Sequence, residues 1–374
     1  MITKRFKIFS LLGFPIYLDL SWFAIAILIA WSLATGYFPS QVGDLHPGVY
    51  WSMGVAGALG LFASILAHEL GHAVVARRFD LPISGITLFI FGGVAELTKE
   101  PPSPKAEFFV AIAGPIVSII IAAVCFAVTW FNRSLLPATV VLVIAYLALI
   151  NAVVVAFNLI PAFPLDGGRI LRSILWYLKG NLRWATRISS AMGSAFGLFL
   201  IILALINLLA GALLAALWQF LIGMFLRNAA QMSYQQVIVR RALEGEPVSR
   251  FMKTNVITVD SSLTLDQLVE NYIYRFHHKM FPVTDREKLV GCVTTRDVQR
   301  IERQHWHQTE VGQIAGKCEQ DNTITPDTDA MEALTQFSHS GASRMMVVSN
   351  GVLVGMLALK DLMQFISLKV ELDS

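Results

Sequence analysis

Charge is scarce in this chain. Asp, Glu, Lys and Arg make up 15% of its 374 residues, against about 25% in soluble globular proteins, so an ordinary, fully soluble protein is excluded. The 29 basic and 26 acidic side chains leave a net charge of +3. That excess is small and scattered, which excludes nucleic-acid binding as the main activity. Cysteine is scarcer still. Cys125, Cys292 and Cys318 share no paired or C-x-x-C spacing, so neither a disulfide framework nor a cysteine zinc site is indicated. Apolar residues fill the gap, at 55% of the chain with a mean hydropathy of +0.60. The length suits two or three domains.

The apolar residues are unevenly placed. Almost every long apolar run lies before Arg227, and after Pro247 polar and apolar residues alternate as in a water-soluble domain. Runs near the ~20 residues needed to cross hydrocarbon as helix occur at approximately 18–37, 52–77, 107–131, 138–160, 188–208 and 211–228. Lys4, Arg5 and Lys7 precede the first run, but no clean small-residue cleavage site follows, so it reads as a retained helix rather than a signal peptide. Arg77 and Arg78 end the second run, and Arg169, Arg172, Lys179, Arg183 and Arg187 precede the fifth. By the positive-inside rule these face the cytoplasm, with both termini, and the loops at 38–49 and near Asn132, poor in Lys and Arg, face outward. A multi-pass protein of a prokaryotic cell membrane, surrounded by lipid bilayer, is expected. Between the second and third runs, ISGITLFIFGGVAELT at 83–98 reads as a short hairpin or bent strand.

The polar part is duplicated. VITVDSSLTLDQLVENYI and FPVTDREKLVGCVTTRDV return as TITPDTDAMEALTQFSHS and RMMVVSNGVLVGMLALKDL, each copy reading strand, helix, strand, strand, helix. The expected architecture is an α-helical polytopic membrane domain with a small β hairpin at 1–232, followed by α/β repeats at 247–308 and 309–374.

Chemistry concentrates in AHELGHAV, where His68, Glu69 and His72 form H-E-x-x-H inside the second run. On a helix, residues four apart share a face, so both imidazoles can reach one Zn²⁺ while Glu69 reaches a water on the metal. Zinc brings that water's pKa from 15.7 to about 7, and the carboxylate can take its proton and deliver it to a leaving amine. The bland reading is a trio of hydrogen-bonding groups in a bundle. Against it stands the cost of about 2.5–3.5 kcal/mol for an ionisable residue at the centre of a spanning helix. A third zinc ligand is offered by NLIPAFPLDGGRIL, where Pro161 and Pro164 stop the helix, Gly167 and Gly168 permit a tight turn, and Asp166 is the lone acid. On spacing alone Asp166 is equally a turn or cap residue. A glutamate third ligand is the competing enzyme reading, although few glutamates lie in the later runs.

These two motifs together resemble the site-2 protease family of intramembrane zinc metalloproteases, whose H-E-x-x-H is followed by N-x-x-P-x-x-x-L-D-G. Here Asn158, Pro161, Leu165, Asp166 and Gly167 complete the second motif. The resemblance implies Zn²⁺ bound by His68, His72 and Asp166, Glu69 as general base, and Asn158 touching the scissile peptide; on its residues alone Asn158 is equally an interhelical hydrogen-bond donor. It also implies single-span or few-span membrane proteins as substrates, and the place of His68, about 14 Å of helix from Arg77, puts the cut near the cytoplasmic leaflet. One departure is that Gly114 and Pro115 are followed by Ser118, where many members carry Asn.

The repeats resemble a tandem pair of cystathionine-beta-synthase (CBS) domains. Their G-h-h-T-x-x-D signature, with h apolar, appears as Gly291, Thr294 and Asp297, and again as Gly355, Ala358 and Asp361. The resemblance implies that Asp297 and Asp361 contact a nucleotide ribose and Thr294 a phosphate of AMP, ADP or ATP, or else that the pair serves as a structural or homodimerising module. Both Asp residues equally suit helix capping. The reading from another functional class is a non-catalytic membrane sensor or transport component with a structural metal site. Glu69 discriminates against it, because a structural zinc needs no general base.

The charge asymmetry predicts that cysteines introduced at Gln41 or Asn132 react with a membrane-impermeant thiol reagent added to intact cells, and that those at Arg78, Lys179 or Ser262 do not. Labelling at Ser262 from outside would overturn the orientation.

Overall fold

The computed structural model describes residues 5–90, 92–97, 100–131, 135–286, 288–317 and 322–372; Lys4, Thr98, Asn132, Arg133 and Cys318 lie outside them. The chain forms two compact units, Met1–Gln235 and Gln236–Ser374.

The first unit opens with a hairpin of β1 (Arg5–Leu11) and β2 (Phe14–Asp19). Its two-residue turn takes Leu12 to φ 52° and Gly13 to φ 87°, the left-handed backbone that matches the twist of paired strands. The sequence reading did not anticipate this hairpin. Phe6, Ile8, Phe9 and Leu11 are all exposed, and a register shift falls between Lys7 and Phe9, so no period-two pattern marks β1. β2 pairs parallel with β3 (Ile83–Phe89), which pairs antiparallel with β4 (Gly92–Leu97). The expected hairpin is therefore half of a four-stranded sheet of order β1-β2-β3-β4.

Among the described residues, six helices are long and apolar enough to cross a membrane, and the protein is a multi-pass membrane protein. The first combines α1 (Leu20–Ser32), a π turn and α2 (Phe38–Gln41); Asp19 caps it by accepting from Ser21 N–H at 2.9 Å. The others are α3 (Pro47–Arg77), α4 (Pro104–Phe131), α5 (Ala138–Asn158), α7 (Leu182–Leu209) and α8 (Leu213–Leu243). α3 begins ahead of the expected boundary because Pro47 suits a first helical turn. α8 runs past its apolar run, so the linker after Arg227 is helical. Between α5 and α7 lies α6 (Asp166–Lys179), 14 residues long and too short to span.

α3 is the hub of this unit. The sheet lays Phe14, Ile16 and Ile86 on Ala73, with Leu66 and Leu70 alongside. α5 is tied to α3 where Asn151 Nδ2 donates to Ser64 Oγ at 3.0 Å. α4 approaches α3 so closely that a side chain at Gly71 would come within 2.8 Å of Val117 Cγ2 and 3.1 Å of the Ala113 carbonyl oxygen. Close approach through small residues is how helices associate where no hydrophobic driving force separates them from lipid.

The second unit builds both repeats into one sheet of order β5-β6-β7-β11-β10-β9, with β8 pairing β7. The first repeat supplies β5 (Val259–Asp260), α9 (Leu265–Leu268), α10 (Tyr274–Phe276), β6 (Met280–Asp285), β7 (Lys288–Thr294) and α11 (Thr295–Gln299). The second supplies α12 (Val311–Ile314), β8 (Gly316–Lys317), β9 (Thr323–Ile324), α13 (Ala330–Ser340), β10 (Arg344–Ser349), β11 (Val352–Ala358) and α14 (Leu359–Leu372). Each repeat has its own apolar core, around Phe281 and Val283 in the first and Met345 and Val347 in the second.

Candidate active site

His68 and His72 leave one face of α3 a helical turn apart, both buried. Their Nε2 atoms stand 3.1 Å apart. Asp166, the first residue of α6, reaches His68 Nε2 with Oδ2 at 3.1 Å and His72 Nε2 with Oδ1 at 3.3 Å. The structure thus brings together the three residues expected as ligands, and places Asp166 at a helix start instead of in a tight turn. Gly167 and Gly168 serve packing: side chains there would strike the backbone of Leu159 and Ala162.

This donor set fits zinc. A tetrahedral ion with bonds of about 2.0–2.1 Å separates its ligand atoms by about 3.3–3.4 Å, close to the spacings above. The proton positions agree. His72 Nδ1 lies 2.6 Å from the Val110 carbonyl oxygen, which can only accept, so Nδ1 carries the proton and Nε2 is left for a metal. His68 Nδ1 meets Ser118 Oγ at 2.9 Å, and this hydroxyl can accept in the same way. Ser118, which departs from the family pattern, therefore supports His68 directly. Burial pushes the Asp166 carboxyl up, but when protons on the Nε2 atoms stand in place of an ion, positive charge at His72 and hydrogen bonds from both imidazoles outweigh it and hold the group well below the usual carboxylate range. The site stabilises positive charge between its donors. Room for an ion exists because α4 carries a glycine here. A side chain on Gly114 would run into His72 Nε2 and come within 2.6 Å of His68 Nε2.

Glu69 points from the next position of α3 into a cavity of about 530 Å³. Leu61, Phe62, Val154, Phe157, Trp218 and Ile222 make its walls largely apolar, and His68, Glu69, Asn158 and the Gly92-Gly93 backbone supply its polar edge. Asn158, the last residue of α5, thus shares the cavity with Glu69. β4 lies against the carboxylate: Ala95 N–H donates to Glu69 Oε2 at 3.2 Å, and a side chain at Gly93 would come 2.6 Å from Glu69 Cγ. Gly93 therefore does more than turn the chain, since it lets a strand edge approach the acid.

Three contributions escaped the sequence reading. Glu107 and Arg172 form a buried ion pair, so Arg172 is not a free cytoplasmic charge. In the sequence Gly114 is visible only as part of a motif, not as the space beside the imidazoles. The signal for the pair is an acid at the head of the apolar run of α4, where burial calls for a partner.

In the second unit Thr294 and Asp297 face each other. Thr294 Oγ1 donates to Asp297 Oδ2 at 2.6 Å, and that carboxylate also accepts from Thr294 N–H at 2.9 Å while Asp297 N–H donates back to Thr294 Oγ1 at 3.4 Å, the reciprocal cap of a short helix. Asp361 pairs instead with Lys253 Nζ at 3.2 Å.

Comparison with known proteins identifies the family of each unit. Peptidase family M50 matches residues 56–134 and 133–204, and the CBS domain matches residues 248–303 and 315–368. The chain is 34% identical over 358 residues to Rip3 of Mycobacterium tuberculosis, covering 95% of this chain and 91% of that protein. It is 30% identical over 374 residues to zinc metalloprotease MJ0392 of Methanocaldococcus jannaschii, covering 98% of each. A solved site-2 protease from Methanocaldococcus jannaschii aligns at 31% identity over 61% of this chain and 94% of that one, with a TM-score of 0.43.

Because Gly114 leaves the space between the imidazoles, Gly114→Ala is expected to purify without zinc by elemental analysis. Ser118→Ala is expected to retain zinc with an affinity roughly 10- to 100-fold weaker in chelator competition, the usual cost of losing an outer-shell partner.

Proposed function

Because the chain belongs to peptidase family M50, the site-2 zinc metalloproteases, and joins that unit to a CBS pair, we propose that it cuts membrane-spanning proteins within the bilayer, near the cytoplasmic leaflet. The observation that carries this reading is the placement of Glu69, next to the ligand triad, at the polar edge of a cavity whose walls are apolar. Such a cavity suits an apolar peptide taken from the membrane. Arg77 closes α3 five residues after His72, a rise of about 7.5 Å, which supports a site close to the inner boundary.

His68, His72 and Asp166 would hold the zinc. When bound, zinc supplies a Lewis acid that makes water acidic enough to lose a proton near neutral pH. Glu69 takes that proton and returns it to the leaving amide nitrogen as the peptide bond breaks. Asn158 Nδ2 is available to donate to the carbonyl oxygen as negative charge develops on it. A helical substrate hides its carbonyls in i to i−4 bonds and has to unwind before it can react. β4 has one edge beyond its pairing with β3, and Ala95 N–H already points from there to the Glu69 carboxylate, so an opened peptide could be held as an added strand beside the base. The reading as a non-catalytic sensor or transport component is not favoured, given metalloprotease kinship and a general base in place.

The CBS pair is proposed to bind an adenine nucleotide, AMP, ADP or ATP, through Thr294 and Asp297, and to associate with the pair of a second copy. The second repeat is the weaker half, since Ala358 lacks a hydroxyl and Asp361 is engaged by Lys253.

Glu69→Gln is expected to keep its zinc while cleavage of a co-expressed single-span substrate falls by about 10²–10⁴, the span ascribed to general acid–base catalysis. Cleavage at the wild-type rate would refute the assignment. For the nucleotide site, titration calorimetry on the purified full-length chain is expected to show binding of AMP or ATP that Asp297→Ala abolishes and Asp361→Ala reduces less. No heat from any adenine nucleotide at millimolar concentration would leave the pair as an association module.

A further inference from the structure

Among the described residues of the membrane unit, three charged side chains are buried outside the ligand set: Asp19, which caps α1, and the pair Glu107 and Arg172. Glu107, in the first turn of α4, is 0% exposed, and Arg172, in α6, is 4% exposed. Arg172 Nε donates to Glu107 Oε1 at 2.5 Å, and Nη2 bonds the same oxygen. Nη2 also reaches Glu100 Oε2 at 3.5 Å. The guanidinium carbon lies 5.0 Å over the Phe163 ring, in the loop that leads into Asp166. Glu107 Oε2 is buried with no partner among the described residues. A buried pair of this kind is a poor source of stability, because taking both charges out of water offsets most of their attraction.

Its position suggests another use. Glu107, Val110, Gly114 and Ser118 follow one another at intervals of three or four on α4 and so form one stripe of that helix. Val110 orients His72, Ser118 contacts His68, and Gly114 leaves the space between them. On the other side, Arg172 and Asp166 belong to one helix, six residues apart. We propose that Arg172 and Glu107 are positioning residues, which lock α6 against the stripe of α4 and thereby set the distance from the Asp166 carboxylate to the two imidazoles. The guanidinium suits this because its planar fork and the Phe163 face together fix its orientation, whereas an ammonium would swing about its stem. The inference rests on the zinc-site reading above.

The test is zinc affinity by chelator competition on the detergent-purified full-length chain, read beside the thermal transition of the zinc-free protein. Arg172→Lys, which keeps the charge and loses the fork, is expected to bind zinc at least about tenfold more weakly with the zinc-free transition unchanged. The paired variant Glu107→Leu/Arg172→Met removes both charges and fills their space. It is expected to fold with the wild-type transition and to show the same loss of zinc affinity. Wild-type zinc affinity in Arg172→Lys would overturn the proposal. So would a loss of affinity that merely tracks a loss of zinc-free stability, which marks a structural pair. If the paired variant does not fold, Arg172→Lys decides alone. A wild-type chain that took up no zinc would instead overturn the zinc-site reading.

Discussion

Two imidazole nitrogens and a carboxylate held 3.1–3.3 Å apart in an apolar bundle are in electrostatic conflict unless positive charge lies among them. Much of the membrane unit can be understood as the means of keeping that conflict in place. α3 supplies two donors at a helical spacing that needs no long-range help. The third comes from a helix that begins 98 residues after His68, so its placement depends on how closely α6 and its preceding loop can be seated. Glycine makes that seating possible. At Gly114, Gly167 and Gly168 any side chain would displace the imidazoles or the loop backbone, and at Gly193 of α7 it would displace the Phe163 carbonyl.

Polar groups in such surroundings are costly when unpaired, and those that touch the ligand set and Glu69 are paired in an order that serves the chemistry. The Val110 carbonyl and the Ser118 hydroxyl hold the imidazoles. The Ala95 N–H satisfies one oxygen of Glu69, and the Glu107–Arg172 pair holds the helix that carries Asp166. The cavity combines apolar walls for a membrane segment with a few polar groups at one edge. In the proposed reading, Glu69 and Asn158 on that edge would act only on a peptide that has already opened, because a closed helix presents no free carbonyl there.

The CBS unit follows a different logic. Its stability comes from two apolar cores and a shared sheet of ordinary aqueous type, and its candidate ligand residues lie where helices start. The Thr294–Asp297 interaction shows why a capping reading and a nucleotide reading of the same residues were both open from sequence. One carboxylate can satisfy a helix N-terminus and still present an acceptor to a ligand.

What the sequence determined by itself was whatever depends on neighbours along the chain. The lengths of the apolar runs, the i to i+4 placement of His68 and His72, and the duplication after Pro247 are all local patterns, and a helix or strand turns each into geometry without further information. The motif around Asp166 named the third ligand only by family likeness, because nothing local distinguishes an acid that starts a buried helix from one in a turn. Tertiary structure alone decided the rest. The β1–β2 hairpin was hidden because its outer strand faces away from the core and shows no alternation. The contact of Ser118 with His68 spans 50 residues and that of Arg172 with Glu107 spans 65, and no periodicity within one helix reveals which distant helix it will meet. Whether a glycine is a turn, a helix contact or the space for an ion depends on which atoms come to lie where its side chain would have been, and that is settled only when the helices pack.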